Sequence, residues 1–215
     1  MNHATNFLLY ALSIGALELV PGGRKLKSGR ISPYFFNSGL FNTGESISNL
    51  ATAYASTIKE RFQPDVIFGP AYKGIPLATA VAQAIGGNIG YAFNRKEEKD
   101  HGEGGSIVGA SLKGKNVLIV DDVMTTGTSS GEAVEIVKNA EGIPIGCVIA
   151  FDRQERGKTG DLSAVQEFEQ NYRIPVRAAA TLDDLISLMQ SSPTEDRFSI
   201  LPKILEYKQQ YGVSL

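Results

Sequence analysis

Apolar positions along the chain follow two alternating periods. Ile47, Leu50, Ala51, Tyr54, Ala55, Ile58 and Phe62 recur three and four residues apart, which predicts an amphipathic helix. Val66-Ile67-Phe68 follows as a short continuous apolar run closed by Gly69-Pro70, and reads as a buried strand. Ile75 to Ile85 is Ala-rich and helical, and Gly86-Gly87 ends it. Val117 to Val120 is a second buried strand, Ala133, Val134, Ile136, Val137 and Ala140 a further helix stripe, Ile145 to Phe151 a third strand and Val176 to Ala180 a fourth. Continuous rather than alternating apolar strands are covered on both faces. Their alternation with helices predicts an α/β fold with a mostly parallel central sheet flanked by helices. Such a sheet binds ligands at the carboxyl ends of its strands.

The two ends of the chain read as helices. Ala4, Phe7, Leu8, Ala11 and Leu12 recur at helical spacing, and Pro21-Gly22-Gly23 is the expected stop. The apolar stretch from Phe7 to Val20 invites a signal-peptide reading. It lacks a basic segment before it and a small-residue cleavage site after it, and Glu18 interrupts it. Thr194 to Tyr207 predicts a terminal amphipathic helix with Phe198, Leu201 and Leu205 on its apolar stripe. No repeat, low-complexity tract or long linker divides the chain, so residues 1–215 are expected to form a single domain.

Composition narrows the chemistry. The 215 residues include 21 Lys and Arg against 23 Asp and Glu, a formal net charge of −2. Near-balanced charge predicts no nucleic-acid partner, which needs clustered positive charge. No stretch reaches the roughly 20 apolar residues of a membrane span, so no membrane partner is expected. Cys147 is alone, which excludes a disulfide within the chain and a Cys-rich zinc module. His3 and His101 are too few for a His-built metal site. A cytoplasmic protein follows, with chemistry drawn from Asp, Lys, Arg, backbone amides and one His.

The densest chemistry follows the strand Val117–Val120. There the chain reads Asp121-Asp122-Val123-Met124-Thr125-Thr126-Gly127-Thr128-Ser129 and enters a helix near Ser129. Two adjacent carboxylates at a strand end repel, and a cation or a row of ligand hydroxyls would offset that. Alternation along the chain points them to opposite sides. Gly127 allows a tight turn, and the amides of a helix N-terminus suit a phosphate. Thr125, Thr126, Thr128 and Ser129 add hydroxyl donors. A capped helix after a strand accounts for one Asp or one Thr, but not for this density. Gly109 to Lys115 comes close to the triphosphate-binding G-x-x-x-x-G-K-[ST] pattern. Asn116 replaces the final Ser or Thr, and the segment precedes a strand instead of following one.

An apolar strand, an Asp pair and Thr-Thr-Gly-Thr-Ser resemble the phosphoribosyl pyrophosphate (PRPP) motif of type I phosphoribosyltransferases. Four further segments resemble the orotate branch of that family: Leu26 to Asn37, Gly69 to Pro76, Asn94 to Gly105 and Asp152 to Gly157. The resemblance spans about residues 20 to 185. It departs little from the family pattern, Met124-Thr125-Thr126 varying the middle of the phosphate motif.

The resemblance implies the type I phosphoribosyltransferase fold, with a small N-terminal hood contributed by about residues 1–40. It implies transfer of the 5-phosphoribosyl group from PRPP to orotate, giving orotidine 5′-monophosphate and pyrophosphate in pyrimidine biosynthesis. Lys99, His101, Asp121 and Asp122 are the implied catalytic residues. Lys27, Tyr72, Lys73, Arg95, Lys96, Lys99, His101 and the stretch Asp121, Asp122, Val123, Met124, Thr125, Thr126, Gly127, Thr128 and Ser129 are the implied PRPP contacts. Lys27, Phe35, Phe36, Thr125 and Arg153 are implied to bind orotate. Mg²⁺ is the implied cofactor, carried by PRPP with no direct protein ligand. A homodimer whose loop residues reach the other subunit is implied as well. The alternatives are a purine-type phosphoribosyltransferase and a non-catalytic PRPP-sensing regulator.

The residues of each segment admit this chemistry. Asn94–Gly105 places Arg95, Lys96, Lys99 and His101 beside Gly102, Gly104 and Gly105, so cations suited to a pyrophosphate sit next to candidate hinges. Phe35-Phe36 serves equally as ordinary core or as a wall for a flat base.

Overall fold

In a computed structural model, the described residues are 2–26, 28–96, 106–125, 127–157, 160–191 and 195–213. The chain runs α1 (His3–Ser13), β1 (Leu17–Lys25), β2 (Ile31–Phe36), a 3₁₀ turn (Ser38–Leu40), α2 (Gly44–Arg61), β3 (Val66–Gly69) and α3 (Gly74–Ile85). It continues through β4 (Gly90–Asn94), β5 (Ile107–Gly109), β6 (Asn116–Val120), α4 (Thr128–Asn139) and β7 (Ile143–Asp152). It ends with α5 (Ala164–Tyr172), β8 (Val176–Thr181), α6 (Leu182–Ser191) and α7 (Glu195–Tyr211).

The main sheet has the order β5-β4-β3-β6-β7-β8 and is parallel except where β5 pairs with β4. The predicted α/β class holds, and its physical basis is visible in β6. Leu118 and Val120 join one buried cluster with α1, α2 and α3, while Val117 and Ile119 join another with α4 and α5. Consecutive side chains of a strand alternate faces, so a strand buried on both sides must be apolar throughout. Helix starts follow from sequence in the same way. Thr43 and Ser46 form a reciprocal cap on α2, and Ser163 and Gln166 do so on α5.

The N-terminal region corrects one expectation. The first helix ends at Ser13, and Pro21-Gly22-Gly23 lies inside β1. Gly15 turns the chain at φ +72°, and Leu17, Glu18 and Leu19 then pair with Phe36, Phe35 and Tyr34. The register slips between Leu19 and Arg24, so Pro21, which has no N–H to give, falls where the ladder is broken. Gly23 sits there at φ +73°, and a Cβ would lie 2.3 Å from Ile31 Cγ2. Short apolar strands with no alternation are hard to separate from helix by period alone.

The terminal helix runs to Tyr211, and its buried stripe is Ile200, Ile204 and Tyr207. Leu205 is instead exposed and Leu201 half-buried, while the Phe198 side chain lies outside the described set. The face is chosen by the neighbouring hairpin: Tyr207 meets Tyr34 edge-on at 6.0 Å, and Lys203 Nζ donates to the Pro21 carbonyl at 2.7 Å. The two-stranded β1–β2 sheet is therefore joined by the far end of the chain. The helix α1 buries Ala4, Phe7, Leu8 and Ala11 in the main core.

Candidate functional site

The strands β3, β6 and β7 deliver their carboxyl ends to one edge of the sheet, and the predicted chemistry gathers there. At β3, Gly69 meets Gly74 so closely that a Cβ on Gly69 would lie 1.9 Å from the Gly74 carbonyl oxygen. Only glycine permits this approach. The intervening loop folds back, with the Gly74 N–H donating to the Pro70 carbonyl at 2.9 Å and the Ala71 N–H to Asn94 Oδ1 at 2.9 Å. Lys73 leaves this loop and donates from Nζ to Asp122 Oδ2 at 2.6 Å. Tyr72 is exposed, and Lys96 Nζ lies 4.9 Å from its ring centre.

At β6 the two carboxylates differ sharply. Asp121 is buried. Its Oδ1 accepts from the Asp122 N–H at 2.9 Å, and its Oδ2 from the Ser130 hydroxyl at 3.1 Å. The Tyr54 hydroxyl donates to its carbonyl at 2.7 Å. Burial raises the Asp121 carboxyl above the usual range, and hydrogen bonds from the Asp122 N–H, Ser130 and Ser129 only partly offset this. Asp122 is half-buried and accepts at Oδ2 from Ser38 Oγ at 2.6 Å as well as from Lys73. Burial works upward here too, but hydrogen bonds from Lys73 and Ser38 overcome it and hold the carboxyl below its ordinary value. Asp122 thus stays ionised and able to accept from hydroxyl donors.

The loop that follows turns at Gly127, which caps α4 in the left-handed region at φ 69°. Gly127 itself has no side chain with which to cap the first amides of the helix. Thr125, Thr128 and Ser129 are exposed around them, whereas the half-buried Val123 and Met124 pack against the two opposite core clusters.

The base end diverges from expectation. Adjacent strand residues face opposite ways. Phe36 accordingly enters the core, stacked on Phe151 at 5.5 Å and close to Phe7 and Phe41. Phe35 lies on the other side, with the Arg24 guanidinium 3.8 Å from its ring centre. Phe36 is thus not an open wall for a flat base, and Phe35 alone has that option.

Arg153 does not reach a surface acid. It donates from Nε and Nη2 to Glu155 Oε1 at 2.9 and 2.5 Å, and from Nη2 to Ser32 Oγ at 3.2 Å. Its guanidinium lies 4.6 Å from the Tyr34 ring centre. Tyr34 and Tyr207 both donate to Glu155 at 3.0 Å. Burial, then the neighbouring Glu155 charge, pushes Tyr207 up to about 12, so this phenol stays protonated and donates.

Lys27, Lys99, His101 and Thr126 lie outside the described residues. The Arg95 backbone N–H donates to Ser106 at 2.7 Å, which carries β4 pairing to the start of the 97–105 segment. The residues that sequence reasoning missed are Ser38, Ser130, Tyr54, Asn94 and Glu155. Only Asn94 and Glu155, which fall inside the segments Asn94–Gly105 and Asp152–Gly157, gave any signal. Among the described residues, no three His, Cys, Asp or Glu side chains converge to hold a metal ion. No described helix is long and apolar enough to cross a membrane.

Comparison with known proteins agrees with this geometry. Residues 38–180 match the phosphoribosyl transferase domain family. The chain is 51% identical to the orotate phosphoribosyltransferase of Kluyveromyces lactis, covering 99% of this chain and 97% of that one. It is 50% identical to the enzyme of the same name from Thiobacillus denitrificans, over 94% of this chain and 95% of the other. A crystal structure of orotate phosphoribosyltransferase from Francisella tularensis superposes with a TM-score of 0.85 at 40% identity, covering 96% of this chain and 99% of that one.

Proposed function

Because the chain belongs to the phosphoribosyl transferase family, and within it to the orotate phosphoribosyltransferases, we propose the following course for its reaction. PRPP and orotate give orotidine 5′-monophosphate and pyrophosphate, a step of pyrimidine biosynthesis. Orotate N1 attacks the ribose C1, the C1–O bond to the diphosphate breaks with its electron pair leaving on pyrophosphate, and the N1 proton is released. The transition state carries oxocarbenium character, as in glycoside cleavage.

The observation that carries this reading is the Asp121–Asp122 pair at the end of β6, followed closely by the left-handed turn at Gly127 and the N-terminus of α4. Asp122 accepts from the ribose hydroxyls and Asp121 supports it from beneath. The amides and hydroxyls of Thr125–Ser129 receive the 5′-phosphate. Lys73, Arg95, Lys96, Lys99 and His101 neutralise the diphosphate, with Tyr72 beside them, and Lys27 reaches both substrates. Thr125, Phe35 and Arg153 bind orotate, Arg153 through the carboxylate. Closure of the loop over the site excludes water, which otherwise hydrolyses the activated sugar.

Mg²⁺ fits this arrangement as a passenger on PRPP. Asp122 already satisfies Lys73 and Ser38, and no carboxylate cage converges beside it among the described residues. When bound, the ion supplies Lewis-acid neutralisation of the leaving diphosphate. The enzyme works as a cytoplasmic homodimer, with loop residues completing the neighbour's site.

A forward assay that follows orotate consumption with PRPP and Mg²⁺ tests the reading. Orotate is turned over, whereas uracil, adenine and hypoxanthine are poor acceptors. Preferential use of a purine would overturn it.

A further inference from the structure

Glu155 is the most heavily coordinated side chain of the base end, and nothing in the reaction course above uses it. Its side chain is 10% exposed. Oε1 accepts from Arg153 Nε and Nη2 and from the Tyr34 hydroxyl, and Oε2 accepts from the Tyr207 hydroxyl at 3.0 Å and Arg30 Nη1 at 3.3 Å. A carboxylate offers about four lone-pair sites, so these donors saturate it. They come from β7's end, the hairpin and α7. Arg30 Nη2 adds a bond to the Gly157 carbonyl at 3.1 Å, and the Arg156 and Val213 N–H groups tie the same segment to the end of α7.

The consequence for Arg153 is geometric. Nε and Nη2 are committed to Glu155 and Ser32, and the guanidinium also bonds the Tyr207 side chain. A planar guanidinium clamped on one edge holds its remaining N–H groups in a fixed direction. Arg30 and Arg153 face the single carboxylate of Glu155, so these three groups carry one positive charge in excess. Asp152, the nearest other acid in the segment, turns its Oδ1 to the Gln154 N–H at 2.8 Å. A mostly buried excess charge is costly unless an anion meets it.

We infer that Glu155 is a positioning residue of the base site, which clamps Arg153 to the hairpin and the C-terminal helix and so sets the preference for a carboxylate-bearing base. This rests on the reading that Arg153 meets the orotate carboxylate. Glutamine at 155 keeps the volume but turns an NH₂ donor towards groups that are themselves donors. The clamp then loosens without emptying the site.

Steady-state kinetics of Glu155→Gln, Arg153→Met and the double variant form the test. For Glu155→Gln the orotate KM rises at least tenfold. Its PRPP KM and its kcat at saturating orotate stay within threefold, and the preference for orotate over uracil falls in step. The double variant is no worse than Arg153→Met alone, because Glu155 acts through Arg153. An unchanged orotate KM in Glu155→Gln, with a raised one in Arg153→Met, overturns the inference and leaves the base-site reading standing. An unchanged orotate KM in Arg153→Met overturns both. Parallel rises in the orotate and PRPP KM values mark a merely structural role and also overturn it. Should Glu155→Gln not fold, Tyr207→Phe removes one bond of the clamp while keeping the ring. It shows the same orotate-selective KM rise, several-fold in size, and no change there overturns the inference.

Discussion

At the end of β6, one continuous stretch from Asp121 to Ser129 supplies the groups proposed to meet ribose and phosphate. At the end of β7, the groups around Glu155 come from far apart: Arg30 lies 125 residues away, Tyr34 121 and Tyr207 52. The first region is a local device. A strand end, a left-handed Gly127 and a helix N-terminus follow one another within a few residues, and the proposed phosphate site uses this local backbone geometry. The second is a tertiary device, since a base pocket needs walls on several sides and no single turn provides them. A local motif tolerates change elsewhere, whereas a distributed one depends on every element that feeds it.

Kinetic separation of the two substrates can break or sharpen this contrast. Asp122→Asn has the largest effect, lowering kcat/KM for PRPP about a hundredfold, or about 2.7 kcal/mol. Orotate affinity in calorimetric titration changes far less, and equal weakening of both ligands would dissolve the separation. Lys99→Ala lowers kcat at least tenfold, about 1.4 kcal/mol. Wild-type kcat and KM in that variant would remove the loop from the mechanism. Ser38→Ala deletes one of the two side-chain donors on Asp122. A hydrogen bond worth about 1 kcal/mol predicts a PRPP KM some fivefold higher with the orotate KM unmoved. A rise confined to orotate would place Ser38 in the other region.

The smallest effect is on stability, and it separates the two aspartates. Asp121 has a raised carboxyl, so its ionisation costs stability above its unfolded value of about 3.9, and the cost is complete once pH exceeds the raised folded value. Asp121→Asn therefore raises Tm at pH 7, and the gain vanishes below about pH 4. Asp122 has a lowered carboxyl, so its contribution is present above about 3.9 and fades as pH falls through the lower folded value. Asp122→Asn lowers Tm at pH 7, and the loss shrinks in acid. Thermal melts of both variants between pH 3 and 7 decide; parallel shifts would show that the two environments do not differ.

The parts legible in the sequence were those whose cause is local. Val117–Val120 announced a strand covered on both faces, and Gly127 announced the turn that leads into α4. Other parts were hidden because their cause lies elsewhere. Pro21-Gly22-Gly23 looks like a helix stop until β2 arrives to pair with Leu17–Leu19. Leu205 looks like core until the hairpin takes the neighbouring face of α7. Ser38 is an ordinary turn serine until the fold brings it to Asp122, 84 residues away.

The amino-acid sequence by itself determined the α/β class, because periodicity and backbone turns act over a few residues, and its motifs carried the resemblance to the family. The tertiary structure alone decided that Asp121 is buried while Asp122 is held ionised, that Phe36 belongs to the core, and that Arg153 is clamped by Glu155. Burial and charge pairing depend on distances in space, and chain separation does not encode them.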